Sequence, residues 1–278
     1  MMLIAGLDIG GSVTKGVLVD NEKIIAYSEV QASDSITSAL GCLGRLLADT
    51  GMKIRDLRKI ALTGSITRRL KLDMIEIDYR IVDEIEAIGL GGLYLSGKNE
   101  AIVVSVGTGT AIVYARRYGK EYSVEHLGGT GVGGGTIAGL GKLLLKKEYP
   151  SNIFKEALGG DLSRVNLQVR DIVGGPIGRI PAEATASNFG KVGDETRSED
   201  IALGLITMIA EVIATVAYFA AKQKSLEENI IFVGKLPSQE IFSKRLLDTL
   251  NVLGGKAVIP KNAEYATAIG AAKALIDS

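Results

Sequence analysis

Apolar and polar positions along the chain switch between two periods. Leu3–Leu7 is an unbroken apolar run that ends in the turn DIGGS, and strand-like spacing resumes over Thr14–Val19 and around Lys23–Glu29. Asn21 and Glu22, between the last two, suit a hairpin turn. Helical spacing follows over about Ser35–Ala48, with Ser33 or Asp34 as its cap. A short strand at Lys59–Thr63 and a helical segment at Asp83–Leu95 come next. The pattern restarts at Ala101. AIVVSVGTGTAIVYARR predicts a strand, a glycine turn and a second strand; YSVEHL predicts a third, and Gly134–Lys147 a helix. Beyond these come a long helix at about Ser198–Lys222, a buried strand IIFVG, a helix over Pro237–Leu250, a strand KAVIP and an alanine-rich helix over Ala263–Ile276.

Strand, glycine turn, strand, strand, helix thus occurs twice. The period is near half the chain, which marks a duplicated topology and not a solenoid. Alternation of strands and helices predicts an α/β protein: two similar domains with mixed sheets on either side of a cleft. The 278 residues suit two domains, at roughly 100–200 residues each. The expected division is 1–98 and 99–278, with the last helix, about 263–278, placed to pack back on the first domain.

Composition narrows the chemistry. Lys+Arg and Asp+Glu both number 32, so no global field draws the chain to nucleic acid or an anionic membrane. No apolar run is expected to reach the ~20 residues of a membrane span. The start, MMLIAGLDIGG, lacks a basic segment and reads as a buried strand instead of a signal peptide, which points to the cytoplasm. The single cysteine, Cys42, sits in an apolar segment and reads as a packed thiol. With one histidine, His126, a Ser-His-Asp enzyme or a multi-histidine metal site is nearly excluded. Carboxylates, lysine, hydroxyls and backbone amides are left to carry the chemistry.

DIGGSVTKG, between two strands, has the make-up of a phosphate cradle. Gly10 and Gly11 let amides approach an anion without Cβ obstruction, Ser12 and Thr14 add hydroxyls, and Lys15 adds a mobile charge. Asp8 is placed to hold Mg²⁺ through water. An ordinary polar hairpin would carry similar residues. SVGTGTAI repeats the device, with Thr108 and Thr110 flanking Gly109. GGTGVGGG then leads from a strand into the helix that opens GGTIAGLG. It is bracketed by Leu127 and Ile137, unlike a flexible linker, and glycines at a helix start are expected to offer free amides. The backbone there lies close either to a ligand or to the facing wall.

In order along the chain, DIGGSVTKG, VDEIEAIGLGGLYL, SVGTGT, GGTGVGGGTIAGLG, VRDIVGG, ATASNFG and FVG resemble the type II (eukaryotic-like) pantothenate kinases of the actin–hexokinase superfamily. The resemblance runs from Gly6 to Ala274, and GGTGVGGGT with VRDIVGG and ASNFG is its most specific part. It implies two actin- or hexokinase-like (ribonuclease H-like) domains, a homodimer, and ATP- and Mg²⁺-dependent phosphorylation of the primary hydroxyl of pantothenate, the first step towards coenzyme A. ATP contacts would fall on Gly10, Gly11, Ser12, Val13, Thr14, Lys15, Thr108, Gly109, Gly134, Gly135, Thr136, Ile137, Ala138, Gly234 and Lys235. Tyr149 is a candidate to stack on adenine or simply to pack after a helix. The family's catalytic carboxylate lands on Glu84, with Asp8 organising the metal and Lys15 neutralising phosphate. The substrate side would take Glu84, His126, Gly129, Thr130, Ser187 and Asn188.

Spacing alone does not choose Glu84, because Asp83, Glu84 and Glu86 all fall in a first helical turn, where acids complement the dipole. The chain also departs from the family pattern. Where the family usually has an arginine before the glycine run, this chain has His126, and Arg116, Arg117 and Arg170 are the candidates to supply the missing charge. That departure bears on the substrate and on inhibition by acyl-CoA. Two other readings stay open: another small-molecule kinase of the superfamily, acting on an amino sugar or pantetheine, and a nucleotide-binding regulator without turnover. The related activators of radical dehydratases need cysteines to hold a cluster, and one buried thiol does not supply them.

Overall fold

The structure, a computed structural model, describes residues 3–21, 23–31, 34–64, 67, 77–119 and 121–276. Glu22 and Ser33 lie outside the described residues. Two five-stranded mixed sheets form the frame. In the first, β1 (Leu3–Ile9), β2 (Val13–Asp20), β3 (Lys23–Gln31), β4 (Leu57–Thr63) and β5 (Tyr79–Ile81) lie in the order β3-β2-β1-β4-β5. In the second, β6 (Glu100–Val106), β7 (Thr110–Tyr118), β8 (Glu121–Thr130), β11 (Ile230–Val233) and β12 (Ala257–Val258) lie in the order β12-β11-β6-β7-β8. Each sheet has an antiparallel three-strand meander whose first strand pairs in parallel with a later one. The two orders are one order read in opposite directions, so the duplication predicted from spacing is a duplication of strand topology. A two-stranded sheet, β9 (Leu167–Gln168) with β10 (Thr185–Ser187), stands apart, with the short helix α5 (Val169–Val173) following β9.

Alternation sorts each strand of the first sheet between two layers. Leu3, Ala5, Leu7 and Ile9 of β1 and Ile60 and Leu62 of β4 face α1 (Ser35–Thr50). Ile4 of β1, Val17 and Val19 of β2 and Ala61 of β4 face α8 (Ala266–Ile276). Asp34 caps α1 by accepting from the Ile36 and Thr37 amides. The second sheet is covered on one side by α6 (Ser198–Gln223) and α7 (Glu240–Leu253), with α3 (Gly134–Leu145) and α4 (Pro150–Ala157) beyond. On its other side lies α2 (Glu84–Ser96), which packs against α8. The α2–α8 pair therefore fills the space between the two sheets. A Cβ on Gly270 would land on the Ala87 carbonyl oxygen and one on Gly91 on the Ala266 carbonyl, so the two helix backbones touch.

Several expected boundaries shift. The predicted helix over Pro237–Leu250 begins at Glu240, because Leu236–Gln239 forms a turn closed by the Gln239 amide on Leu236. The last helix opens with a 3-10 turn, Ala263–Tyr265. The third strand of the second half runs past YSVEHL to Thr130, so Gly128 and Gly129 are strand residues paired with Ile112 and Ala111. α6 contains an 18-residue window of mean hydropathy 2.0, long and apolar enough to cross a membrane, against the expectation that no such run exists. Of that window 61% is buried, mostly against the second sheet, while Val212, Val216 and Phe219 are exposed on the far face.

Candidate active site

The β1–β2 and β6–β7 hairpin tips face one cleft. At the first, the Gly10 amide closes on the Val13 carbonyl at 3.2 Å; at the second, the Gly107 amide closes on the Gly109 carbonyl at 2.9 Å. Among the described residues, the Gly11, Ser12, Thr108 and Gly109 amides carry no such backbone bond, which leaves donors at both tips. The sheets end at two matching glycines: Gly64 after β4 and Gly234 after β11, both at φ 104°. There a side chain would be strained, and a Cβ on Gly64 would also lie 2.6 Å from the Ile9 carbonyl oxygen. That close approach brings the β4 end against Asp8.

Asp8 is the last polar group of β1 and sits directly across from Lys15 on β2. Burial pushes its carboxyl up to about 7; the Lys15 charge opposes this and Glu84 adds to it. Burial in turn lowers the Lys15 ammonium, against the pull of Asp8 and Glu29. Lys15 Nζ donates to the Glu264 carbonyl at 2.9 Å, which holds it over the cleft floor. On the opposite wall Lys235 Nζ lies 2.6 Å from Glu29 Oε1 of β3, an ion pair between the halves.

The three acids at the start of α2 take three different jobs. Asp83 is the cap and accepts from the Ile85 and Glu86 amides at 2.9 and 3.4 Å. Glu86 accepts the Tyr122 hydroxyl of β8. Glu84, left with neither, lines the cleft, and burial followed by the Asp83 charge raises its carboxyl above the ordinary range. Charged carboxylates and lysines in one partly desolvated cleft are the conditions for proton transfer and for holding an anion.

The glycine run next to this cleft lies against the facing wall, one of the two causes expected of it. Its amides are not free: Gly134 donates to the Gly107 carbonyl at 2.8 Å, Gly135 to Thr108 at 2.9 Å, and Thr136 and Ile137 both to Gly133 at 3.1 Å. Gly133 donates to Thr136 Oγ1, which closes the helix start on itself. A Cβ on Gly133 would lie 2.7 Å from the Thr108 carbonyl oxygen, and one on Gly129 would land on the Thr110 carbonyl. The glycines let the α3 start clamp the backbone of the SVGTGT turn. Of the two alternatives, the facing wall is what they approach.

The cleft encloses about 470 Å³. A sequence profile of the family described as Fumble matches residues 99–273. A type II pantothenate kinase of Oceanobacillus iheyensis is 30% identical over 276 residues, covering 96% of this chain and 97% of its own. The chain belongs to the type II pantothenate kinase family. A further type II pantothenate kinase, from Bacillus anthracis, is 29% identical over 264 residues, 91% of this chain and 90% of that one. In fold, the activator of the 2-hydroxyisocaproyl-CoA dehydratase from Clostridium difficile with bound ADPNP superposes with a TM-score of 0.70 at 17% identity, covering 99% of this chain and 95% of that one.

Against the positions that the pantothenate kinase family implies, the cleft is a partial match. Asp8, Gly10, Gly11, Ser12, Val13, Lys15, Glu84, Thr108, Gly109, Thr130, Gly234 and Lys235 line it. Thr14 does not: it is fully buried, and its hydroxyl donates to Ser38 at 3.0 Å because alternation turns it towards α1. Ile137 is a core residue of the second half, and the Gly134, Gly135 and Thr136 amides are spent as described. Ala138 is half-buried on α3, and Tyr149 is exposed at the start of α4. His126 is exposed on β8, opposite Val113. Ser187 ends β10 of the small sheet and Asn188 lies in the turn after it, where its Nδ2 donates to Glu211 Oε2 of α6 at 2.9 Å. Arg116 and Arg170 pair with Glu100 and Glu183, and Arg117 donates to the Gly119 carbonyl. None of the three lines the cleft.

Sequence reasoning missed Gly64, Glu264 and Thr267 in the cleft lining. A signal for Gly64 existed, since IALTG repeats IIFVG strand for strand. Glu264 and Thr267 come from the start of the last helix, which only chain folding brings over the cleft.

Proposed function

We propose that this chain is an ATP-dependent pantothenate kinase, transferring the γ-phosphoryl group of ATP to the primary hydroxyl of pantothenate as the first step of coenzyme A synthesis. Family membership supports the reaction class. The observation that carries the assignment of roles is that Glu84 faces the same cleft as both hairpin tips and both lysines. Bound Mg-ATP supplies the phosphoryl group and a cation that neutralises charge as the group moves. Glu84 accepts the proton of the attacking hydroxyl, and its raised carboxyl brings it nearer to the pH at which a general base is effective. Lys15 and Lys235 neutralise phosphate oxygens, Lys235 by leaving Glu29. The tip amides of Gly11, Ser12, Thr108 and Gly109 donate to the same oxygens.

The residues fit a metal shared with nucleotide. No cluster of three or more His, Cys, Asp or Glu side chains that could hold a metal occurs among the described residues. Magnesium is commonly held by one or two carboxylates together with substrate phosphates, and Asp8 is the carboxylate so placed. The reading extends to two lobes, residues 1–98 completed by α8 and the remainder of 99–278, that close on the substrates to exclude water.

The test is a coupled assay with Mg²⁺, ATP and pantothenate on the wild type and on Glu84→Gln. Turnover should require pantothenate and fall by about 10²–10⁴-fold in the variant, with kcat/KM of the wild type rising with pH as Glu84 ionises. Full activity of Glu84→Gln would remove Glu84 as the base. If only pantetheine, pantoate or an amino sugar elicits turnover, the phosphotransferase reading stands and pantothenate falls.

A further inference from the structure

One buried polar group in the first sheet has no partner. Thr63, the last residue of β4, is fully buried, and its hydroxyl makes no hydrogen bond among the described residues. Leaving a hydroxyl buried and unpaired is costly, and a valine would fill the same shape without that cost. The other unpaired buried side-chain atoms belong to Ser28, Gln168 and Thr207, none of which adjoins a cleft-lining carboxylate.

The position of Thr63 is specific. β1 and β4 pair in parallel with Asp8 opposite Thr63, and β1 and β2 pair antiparallel with Asp8 opposite Lys15. Ile60 and Leu62 face α1 and Ala61 faces α8, so alternation puts Thr63 on the α8 side. Ile4 and Val17 put Asp8 and Lys15 on that same side. Lys15, Asp8 and Thr63 therefore stand in a row across three adjacent strands, at the end that opens into the cleft. Directly opposed side chains on one sheet face have Cβ atoms about 5 Å apart, within reach of a rotamer change. Gly64 follows at once, and a Cβ there would lie 3.0 Å from Asp8 Oδ1, so this turn is built tightly around the Asp8 carboxylate.

We propose that Thr63 is a positioning residue for Asp8: in the loaded cleft its hydroxyl donates to the Asp8 carboxylate and orients it towards the cation. The inference rests on reading the cleft as a Mg²⁺–nucleotide site and makes no assumption about the phosphoryl acceptor. A partner that orients a metal-holding carboxylate is worth roughly 10–100-fold in metal affinity.

The experiment compares Thr63→Val and Thr63→Ser with the wild type by thermal unfolding, without nucleotide and then with ADP over a range of Mg²⁺ concentrations. Without nucleotide, Thr63→Val should melt at or above the wild-type temperature, because it removes an unpaired hydroxyl. With ADP, it should need about tenfold more Mg²⁺ for half of the stabilisation, and Thr63→Ser should return to the wild-type requirement. An unchanged Mg²⁺ requirement in Thr63→Val overturns the inference, as does a nucleotide-free melting temperature well below wild type, which would show a structural partner. Wild-type stabilisation by ADP that ignores Mg²⁺ overturns it too. A Mg²⁺ effect lost in Thr63→Val together with no phosphorylation of pantothenate would leave this inference standing and sink the substrate assignment.

Discussion

At the scale of single residues, environment separates side chains that look alike in the sequence. Asp83, Glu84 and Glu86 are three acids within four positions, and only the fold makes one a cap, one a partner of Tyr122 and one a cleft residue. Asp8 carries a measurable consequence. Its carboxyl moves from an ordinary 3.8 to about 7 on folding. Between those values the folded chain holds a proton that the unfolded chain has released, so stability falls as pH rises through that window and stays lower above it. Asp8→Asn removes the effect. In the absence of nucleotide the variant should match the wild type near pH 4 and exceed it at pH 8 by on the order of 4 kcal/mol, while losing Mg²⁺-dependent binding. Parallel denaturant titrations at the two pH values decide this, and a variant less stable than wild type at pH 8 would contradict the burial argument.

At the scale of elements, the glycine run His126–Thr136 is three structures in eleven residues: the end of β8, a turn and the first turn of α3. What unites them is contact with the β6–β7 tip. Gly133 and Gly131 distinguish this from a flexible connection. Gly133→Ala would place a Cβ against the Thr108 and Gly109 backbone, whereas a Cβ on Gly131 meets nothing within 4 Å. Gly133→Ala should therefore cost about 1–3 kcal/mol, and Gly131→Ala should stay within about 0.5 kcal/mol of wild type. Equal stability of the two variants in thermal melts would mean that the clamp is absent.

At the scale of the whole molecule, the α2–α8 contact joins the halves. α8 comes from the end of the chain and packs on β1, β2 and β4, while α2 carries Glu84 at its start and packs on the second sheet. Gly270→Ala would force the helices apart at Ala87 and Gly91. The expected loss is on the order of 3 kcal/mol, with turnover falling as well because α2 moves Glu84 relative to the hairpin tips. A variant of wild-type stability and activity would show that the halves do not depend on this seam.

By itself, the sequence determined the repeated strand–turn–strand–strand–helix order, the two sheets and the glycine tips, because period and turn chemistry are local properties of the chain. It also marked the family through ordered motifs. Tertiary structure alone decided which groups meet. Thr14 and Lys15 are neighbours in sequence, yet one bonds Ser38 behind the sheet and the other reaches the Glu264 carbonyl across the cleft. Glu264 and Thr267 join the cleft from the far end of the chain, and His126, beside the glycine run, is left outside it. The physical reason is that spacing fixes the face a residue presents, while the partner on that face is chosen by packing of segments distant in sequence.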